Sequence, residues 1–247
     1  MDNKGTCLQS YVPIRQEPAS SAEMISALVF GESYYILKKD EEWAKIKTDF
    51  DDYEGWISSN TIQPFNPDFT KVCDTLYAEA FCLKKRVFIP CGGMIPHNGK
   101  FKIGDELYEL KHNLKPNHHL PFRIQLENVA KSFLNSPYLW GGRTYMGIDC
   151  SGYVQMVFKA LGIKIKRDTS QQIEMGVSVE RDELQAGDLV FFKKEDQSKV
   201  SHVGIMLSKT EVIHASGIVR IDTLAKNTMT VDKQFDYQAI AFRRLHS

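Results

Sequence analysis

The sequence predicts an α+β domain at its C-terminal end, helices first and an antiparallel sheet after them, preceded by two small all-β barrels. Three observations carry this. Residues 7 to about 62 hold short β-branched and aromatic runs broken by turn signals, at a spacing of roughly ten residues. The stretch from Cys73 to Leu110 repeats that texture. From residue 122 onward the apolar spacing turns helical, and after Gly187 it returns to strands. The implied segments are 1–63, a first barrel; 64–120, a second, degenerate barrel with a linker; and 121–247, the α+β domain.

In the first barrel the runs are Tyr11 to Arg15, Ala27 to Phe30 ahead of Gly31, Tyr34 to Leu37, Trp43 to Lys47 and Gly55 to Ile57, with the acidic segment Thr48 to Tyr53 as a hairpin loop. Arg86 to Pro90, Gly92-Gly93 and Lys102 to Asp105 mark the second barrel, and Pro116 to Pro121 reads as the linker. Leu126, Val129, Ala130, Phe133 and Leu134 then recur with helical spacing, to an end before Pro137. Tyr153, Val154, Val157, Phe158 and Leu161 signal a second helix with Asp149 as N-cap and Gly162 as stop. Asp168 with Gln171 resembles a capping box for a third helix ending near Gly176. Strands follow at Leu189 to Phe192, Val200 to Leu207, Val212 to Ala215, Val219 to Ile221 and Ala239 to Phe242.

Composition narrows the function classes. Lys plus Arg (31) balance Asp plus Glu (31), so the positive field that draws a protein to nucleic acid is absent and nucleic acid is not an expected partner. No stretch approaches the roughly 18–20 apolar residues of a membrane helix. The first ten residues lack a basic start followed by an apolar run, so a cytoplasmic location is expected, with periplasm or cell envelope as the alternative if a leader was removed. Five cysteines at 7, 73, 82, 91 and 150 suggest neither a disulfide framework nor, without CxxC or HxxxH spacing, a zinc site. No residue demands a metal or an organic cofactor, and a monomer is expected.

Cys150 carries the chemical interest. It falls in the first turn of the second helix, where unpaired backbone N–H groups and the helix dipole favour a negative charge and a lowered thiol pKa. The same N–H groups suit the oxyanion of a tetrahedral intermediate. Of the seven histidines, only His202 and His214 lie on strands of the last domain, and a hairpin at Ser208-Lys209-Thr210 would put both imidazoles on one sheet face. One would accept the thiol proton while the other fixes its tautomer. Each residue alone has an ordinary explanation, a packed thiol or a satisfied strand histidine.

The local wording goes further. Tyr138 to Gly142, Asp149 to Val154, Arg167 to Gln172, Gly187 to Phe192, Ser201 to Ile205 and Val212 to Ala215 closely resemble, in order, the motifs of NlpC-type murein cysteine peptidases. Pro13-x-Arg15, Gly31-Glu32, Trp43 and Tyr53 to Ile57 resemble the bacterial Src-homology-3-like domain. The resemblance implies a papain-like α+β fold with a triad of Cys150, His202 and His214, and hydrolysis of the γ-D-glutamyl bond to a diamino acid such as diaminopimelate in peptidoglycan stem peptides. Two barrels ahead of such a domain resemble the subgroup that takes peptides with a free N-terminal L-Ala, in murein recycling. Tyr53 then matches a position holding the substrate amine, with Glu23, or else Glu17, as its acidic partner. Asp149 would add a carboxylate, while Tyr138, Ser151 and Ser170, or Thr169 in its place, match positions on the substrate side. Arg167 would face the free α-carboxylate of D-glutamate, although an exposed arginine ahead of a helix is the plainer expectation. The Trp140-Gly141-Gly142 run would let backbone pass beneath the substrate. Two other classes fit the same residues: an inactive wall-peptide-binding module, and a thioester-forming transpeptidase or acyltransferase.

Overall fold

In the computed structural model, residues 3–111, 120–194, 199–226, 228–231 and 235–245 are described; residues 116–119 of the expected linker lie outside them. The chain forms two compact units, Met1–Asn117 with Trp140–Tyr145, and His118–Leu139 with Met146–Ser247.

The first unit is all β among its described residues. Its six-stranded sheet runs, in spatial order, Lys4–Thr6, Ser33–Lys39, Trp43–Thr48, Glu54–Ser58, Tyr11–Arg15 and Met24–Val29. Trp43–Thr48 alternates half-buried and buried along its length, as a period-two strand with one wet face must. Val12, Ile14, Leu28, Tyr34, Ala44, Ile46 and Ile57 fill the core. The acidic segment closes as expected, with the Thr48 N–H donating to the Tyr53 carbonyl. The second β region has a four-stranded sheet in the order Lys100–Ile103, Glu106–Leu110, Tyr77–Cys82, Lys85–Pro90, and a two-stranded one of Met94–Pro96 with Phe69–Val72. Phe30, from the end of a first-sheet strand, completes this second core against Phe69 and Phe101, at centroid distances of 5.6 and 5.0 Å. Cys73 lies in the same apolar cluster, a packed thiol.

The short segment Trp140–Tyr145 belongs to this unit by its contacts. Arg143 is buried there, its guanidinium donating to Glu32 Oε2 at 2.8 Å, to Glu32 Oε1 at 2.9 Å and to the Ala27 carbonyl at 2.5 Å. Gly141 has φ +74°, and a Cβ there would stand 2.4 Å from the Met24 carbonyl oxygen. Its smallness therefore serves contact with the 24–29 strand, where the sequence suggested clearance for a substrate.

The second unit is α+β. Helix α1, Phe122–Ser132, buries Leu126, Val129 and Ala130, the face its spacing predicts. Helix α2, Cys150–Ala160, is buried along its whole length. Helix α3, Thr169–Gln172, has the expected Asp168–Gln171 capping box but stops well short of Gly176. The antiparallel sheet runs Val177–Ser178, Phe235–Arg244, Leu189–Lys194, His202–Met206, Glu211–Ser216, Ile218–Ala225, Thr228–Val231. Phe235–Arg244 also pairs with Thr228–Val231, so the sheet closes on itself. Four of the five expected strands run longer than the sequence suggested, Val200 to Leu207 shortens to His202–Met206, and Val177–Ser178 and Thr228–Val231 were not expected. Closure gives Thr228–Val231 a partner on both sides. No helix among the described residues is long and apolar enough to cross a membrane.

Candidate active site

The tip of α2 is built from its cap. Asp149 is extended at φ −91°, ψ 175°, and its Oδ1 accepts the Gly152 N–H at 2.6 Å. Arg167 then neutralises that carboxylate, at 3.0 Å from Nη1 to Oδ1 and 2.5 Å from Nη2 to Oδ2, and Nη1 also donates to Ser151 Oγ at 2.8 Å. Arg167 is 1% exposed, so the expectation of a solvent-facing arginine is overturned. A short segment leading into α3 passes under the tip of α2, and a buried carboxylate there needs a cation. Both Asp149 oxygens are thus engaged within the protein.

Cys150 is 6% exposed. Its sulfur lies 4.0 Å from Thr169 Oγ1 and takes a hydrogen bond from the Val203 N–H, beside His202 at the start of the 202–206 strand. Thr169 fills the position given first to Ser170, which is exposed. Burial pushes the Cys150 thiol up to about 11, and the Asp149 carboxylate adds to the rise. Thr169, the Val203 N–H and Arg167 pull the other way without compensating. The helix-tip argument for a lowered pKa is therefore overturned in the resting protein, because desolvation outweighs the tip.

The two histidines meet as the hairpin predicts. Ile205 pairs with Ile213 and Met206 with Val212, a register that carries Gly204 opposite His214 and places His202 on the same face. A Cβ on Gly204 would stand 2.5 Å from Val212 Cγ1 and 3.1 Å from the His214 Cβ. That gap lets the imidazoles close diagonally, His202 Nε2 to His214 Nδ1 at 2.8 Å. Both rings are buried. Burial, then the neighbouring His214 and the charge of Lys194, hold His202 well below its ordinary pKa, so its ring is neutral at pH 7.

Three contributors escaped the sequence reading. Asp222 Oδ2 lies 2.9 Å from His214 Nε2, and Arg220 clamps the same carboxylate at 2.8 and 2.9 Å. Burial works to raise Asp222, but hydrogen bonds from His214 and Arg220 outweigh it and hold the carboxyl below its usual value. The signal was a register: pairing of His214 with Arg220 around the Gly217 turn puts Asp222 on that face too. Tyr237 stacks on His202, with centroids 4.7 Å apart and planes at 26°, and its hydroxyl bonds to Ser216. Gln172 donates to the Ser151 carbonyl at 3.0 Å and to the Lys166 carbonyl at 2.8 Å, pinning α3 to the tip of α2.

Tyr138 remains 36% exposed, and its phenol is pushed up by burial, then by Cys150 and Asp149, which sets it electrically beside the sulfur. The backbone fixes it there: its N–H donates to the Gly217 carbonyl at 2.8 Å, and Ile148, just ahead of the cap, bonds back to the Pro137 carbonyl at 3.0 Å. Tyr53 and Glu23 belong to the first unit. Glu23 is exposed and accepts the Trp140 indole N–H at 2.6 Å, while Glu17 is exposed nearby on the Arg15-to-Glu23 turn. Among the described residues no cluster of His, Cys, Asp and Glu could hold a metal ion.

Known proteins share both halves. Residues 135–236 match the NlpC/P60 family model and residues 14–62 that of the bacterial dipeptidyl-peptidase Sh3 domain. The chain is 26% identical over 243 residues, 89% of itself and 80% of the relative, to a γ-D-glutamyl-L-lysine dipeptidyl-peptidase of Bacillus subtilis. A protein of the same name from Bacillus cereus is 39% identical over 111 residues, 44% of this chain and 33% of that one, so the match spans about a third of that relative's length. The crystal structure of an NlpC/P60 family protein from Bacillus cereus superposes with a TM-score of 0.78 at 20% identity, covering 98% of this chain and 99% of the other, and shows the shared fold. With the fold and both matches in agreement, the chain carries an NlpC/P60 domain over residues 135–236 and, ahead of it, a bacterial Src-homology-3-like domain over residues 14–62.

Proposed function

We propose that the protein is a cysteine endopeptidase cleaving the γ-D-glutamyl bond to a diamino acid in peptidoglycan stem peptides that carry a free N-terminal L-Ala, with Cys150 as nucleophile, His202 as base and His214 as its orienting partner. The observation that carries this is the hydrogen-bonded run from His202 through His214 to Asp222, set beside a helix-tip cysteine whose sulfur accepts the N–H of Val203, the residue next to His202. Since His202 turns Nε2 to His214, the other nitrogen, Nδ1, takes the thiol proton. Thiol and imidazole both rest neutral, so proton transfer accompanies attack, as in general-base catalysis, and no ion pair stands ready beforehand. The sulfur adds to the γ-carbonyl carbon of D-glutamate; the oxyanion faces the backbone N–H groups of Cys150 and Ser151, since the Gly152 N–H serves the cap. Protonated His202 hands its proton to the leaving amine, a thioester remains, and water activated by the same imidazole releases the acid.

The names of the Bacillus relatives support the bond, and a dipeptidyl-peptidase counts from a free amino terminus, the substrate form expected here. Glu23 and Tyr53 are assigned that amine, Tyr138, Ser151 and Thr169 the substrate side, and Arg167 with Asp149 the support of the helix tip. Cytoplasmic recycling of wall peptides by a monomer is the corresponding role. Mass spectrometry of digests of L-Ala-γ-D-Glu-diaminopimelate, beside the same peptide bearing its muramyl group, tests it. Release of the diamino acid from the free peptide is expected, with the muramyl form cleaved far more slowly. Equal cleavage would remove the free-amine assignment, and no cleavage of either would remove the activity.

A further inference from the structure

We propose that Asp222, clamped by Arg220, is the positioning residue that sets the direction of hydrogen bonding along the imidazole chain and so leaves His202 Nδ1 bare to act as base. The catalytic consequence rests on the peptidase reading above, while the proton arrangement stands on the hydrogen-bond geometry and the neutrality of the buried His202 ring. An ionised carboxylate accepts hydrogen bonds and donates none. Arg220 holds both oxygens of Asp222, so the carboxylate is fixed in place as well as ionised. His214 Nε2, 2.9 Å from Oδ2, must therefore carry the proton. With that proton on Nε2, His214 Nδ1 presents a lone pair, and its neighbour at 2.8 Å, His202 Nε2, becomes the donor. A neutral imidazole has a single N–H, so His202 Nδ1 is left without one.

The alternative direction would make His202 Nδ1 the protonated atom and useless as a base. His214 is 0% exposed, so bulk water does not compete for its ring nitrogens. The other groups facing the pair leave the direction alone: the Tyr237 and Phe192 rings contact His202 through their faces and edges, Lys194 acts on it only through charge, and Cys150 stands at the far end. One carboxylate two residues beyond Arg220 thus orders protons on atoms that it never touches.

Asp222→Asn keeps the shape and removes the rule. Arg220 claims the single amide oxygen, the amide N–H turns to His214 Nε2, and the chain reverses. Nitrogen-15 spectra of the histidine rings should show His202 protonated on Nε2 in the wild type and on Nδ1 in Asp222→Asn. With L-Ala-γ-D-Glu-diaminopimelate, kcat should fall by about tenfold or more at a KM within about twofold. Losing the anion also disfavours the imidazolium, so the acid limb of the rate profile should move down by about one pH unit. A merely structural residue would lower the rate without moving ring protons or limb. Wild-type His202 protonated on Nδ1, or an Asp222→Asn spectrum and limb that stay put, would overturn the proposal; the wild-type spectrum decides even if the variant does not fold. If the wild type cleaves no γ-glutamyl peptide, the peptidase reading falls while the ring spectra still judge the direction.

Discussion

Each unit buries a cysteine in the field of an arginine–carboxylate pair, and the two sites differ in what lies on the sulfur's other side. In the first unit Cys7 feels Glu32 and Arg143, and its thiol donates to the Gln9 carbonyl at 3.3 Å. In the second Cys150 feels Asp149 and Arg167. Burial raises both, to about 12 and about 11. Neither depth nor a nearby guanidinium therefore marks a nucleophile. What separates them is the setting: Cys150 lies at a helix tip, adjoins Thr169 and accepts the N–H of Val203, the neighbour of the proposed base His202, whereas Cys7, which also has a backbone hydrogen bond at Gln9, sits in an apolar core. The ion pairs differ likewise. Glu32 and Arg143 tie a loop segment to a strand, while Asp149 and Arg167 hold a cap whose helix begins with the proposed nucleophile.

The sharpest way to break the comparison is to remove each sulfur. Cys150→Ala should abolish release of the diamino acid, a loss of about 10⁴-fold or more, while Cys7→Ala should leave kcat within about twofold. Comparable losses from both, read by mass spectrometry, would erase the distinction. Next in size, Arg143→Met leaves Glu32 buried without its cation and should cost about 3–5 kcal/mol in urea unfolding of the first unit. A cost under about 1 kcal/mol would mean that water reaches the pair. Gly204→Ala should cost about 1–3 kcal/mol by overpacking against Val212 and His214, and should lower kcat more than KM rises, because the imidazoles can no longer close.

The last effect is alkaline and negligible at neutral pH. The Cys7 thiol ionises near 9.0 when unfolded and at about 12 when folded, so its contribution is fully present below pH 9 and drains away as pH rises towards 12. Stability should fall by about 1.4 kcal/mol per pH unit inside that window from this group, and Cys7→Ala should flatten the slope. An unchanged slope in Cys7→Ala would assign the alkaline loss to other groups.

Much of this was readable from the chain because it is local. Asp149 before a helical apolar pattern gave the cap, period-two runs gave the strands, and a short turn between His202 and His214 gave their shared face. What stayed hidden depends on contacts between segments distant in sequence. Arg167 looks solvated until α3 is seen to bring it under the Asp149 cap. Choosing between Thr169 and Ser170 needs the rotation of a single helical turn. Asp222 needs the register of a second hairpin, and Tyr237 the pairing that closes the sheet. The sign of the Cys150 shift was missed for another reason: a helix tip can be recognised in a sequence, whereas the depth at which the fold buries it cannot.

The segment Trp140–Tyr145 is threaded into the barrel unit although both its flanks belong to the peptidase unit. A protein cut at the linker would therefore not yield a tidy enzyme. The excised C-terminal piece would carry Arg143 with no carboxylate to meet it and Trp140 with no acceptor for its indole, nine residues ahead of the Asp149 cap in the second case. Any change of the barrel therefore reaches six residues that lie between helix α1 and the Asp149 cap in the chain, so the two units cannot be exchanged as independent lengths of sequence.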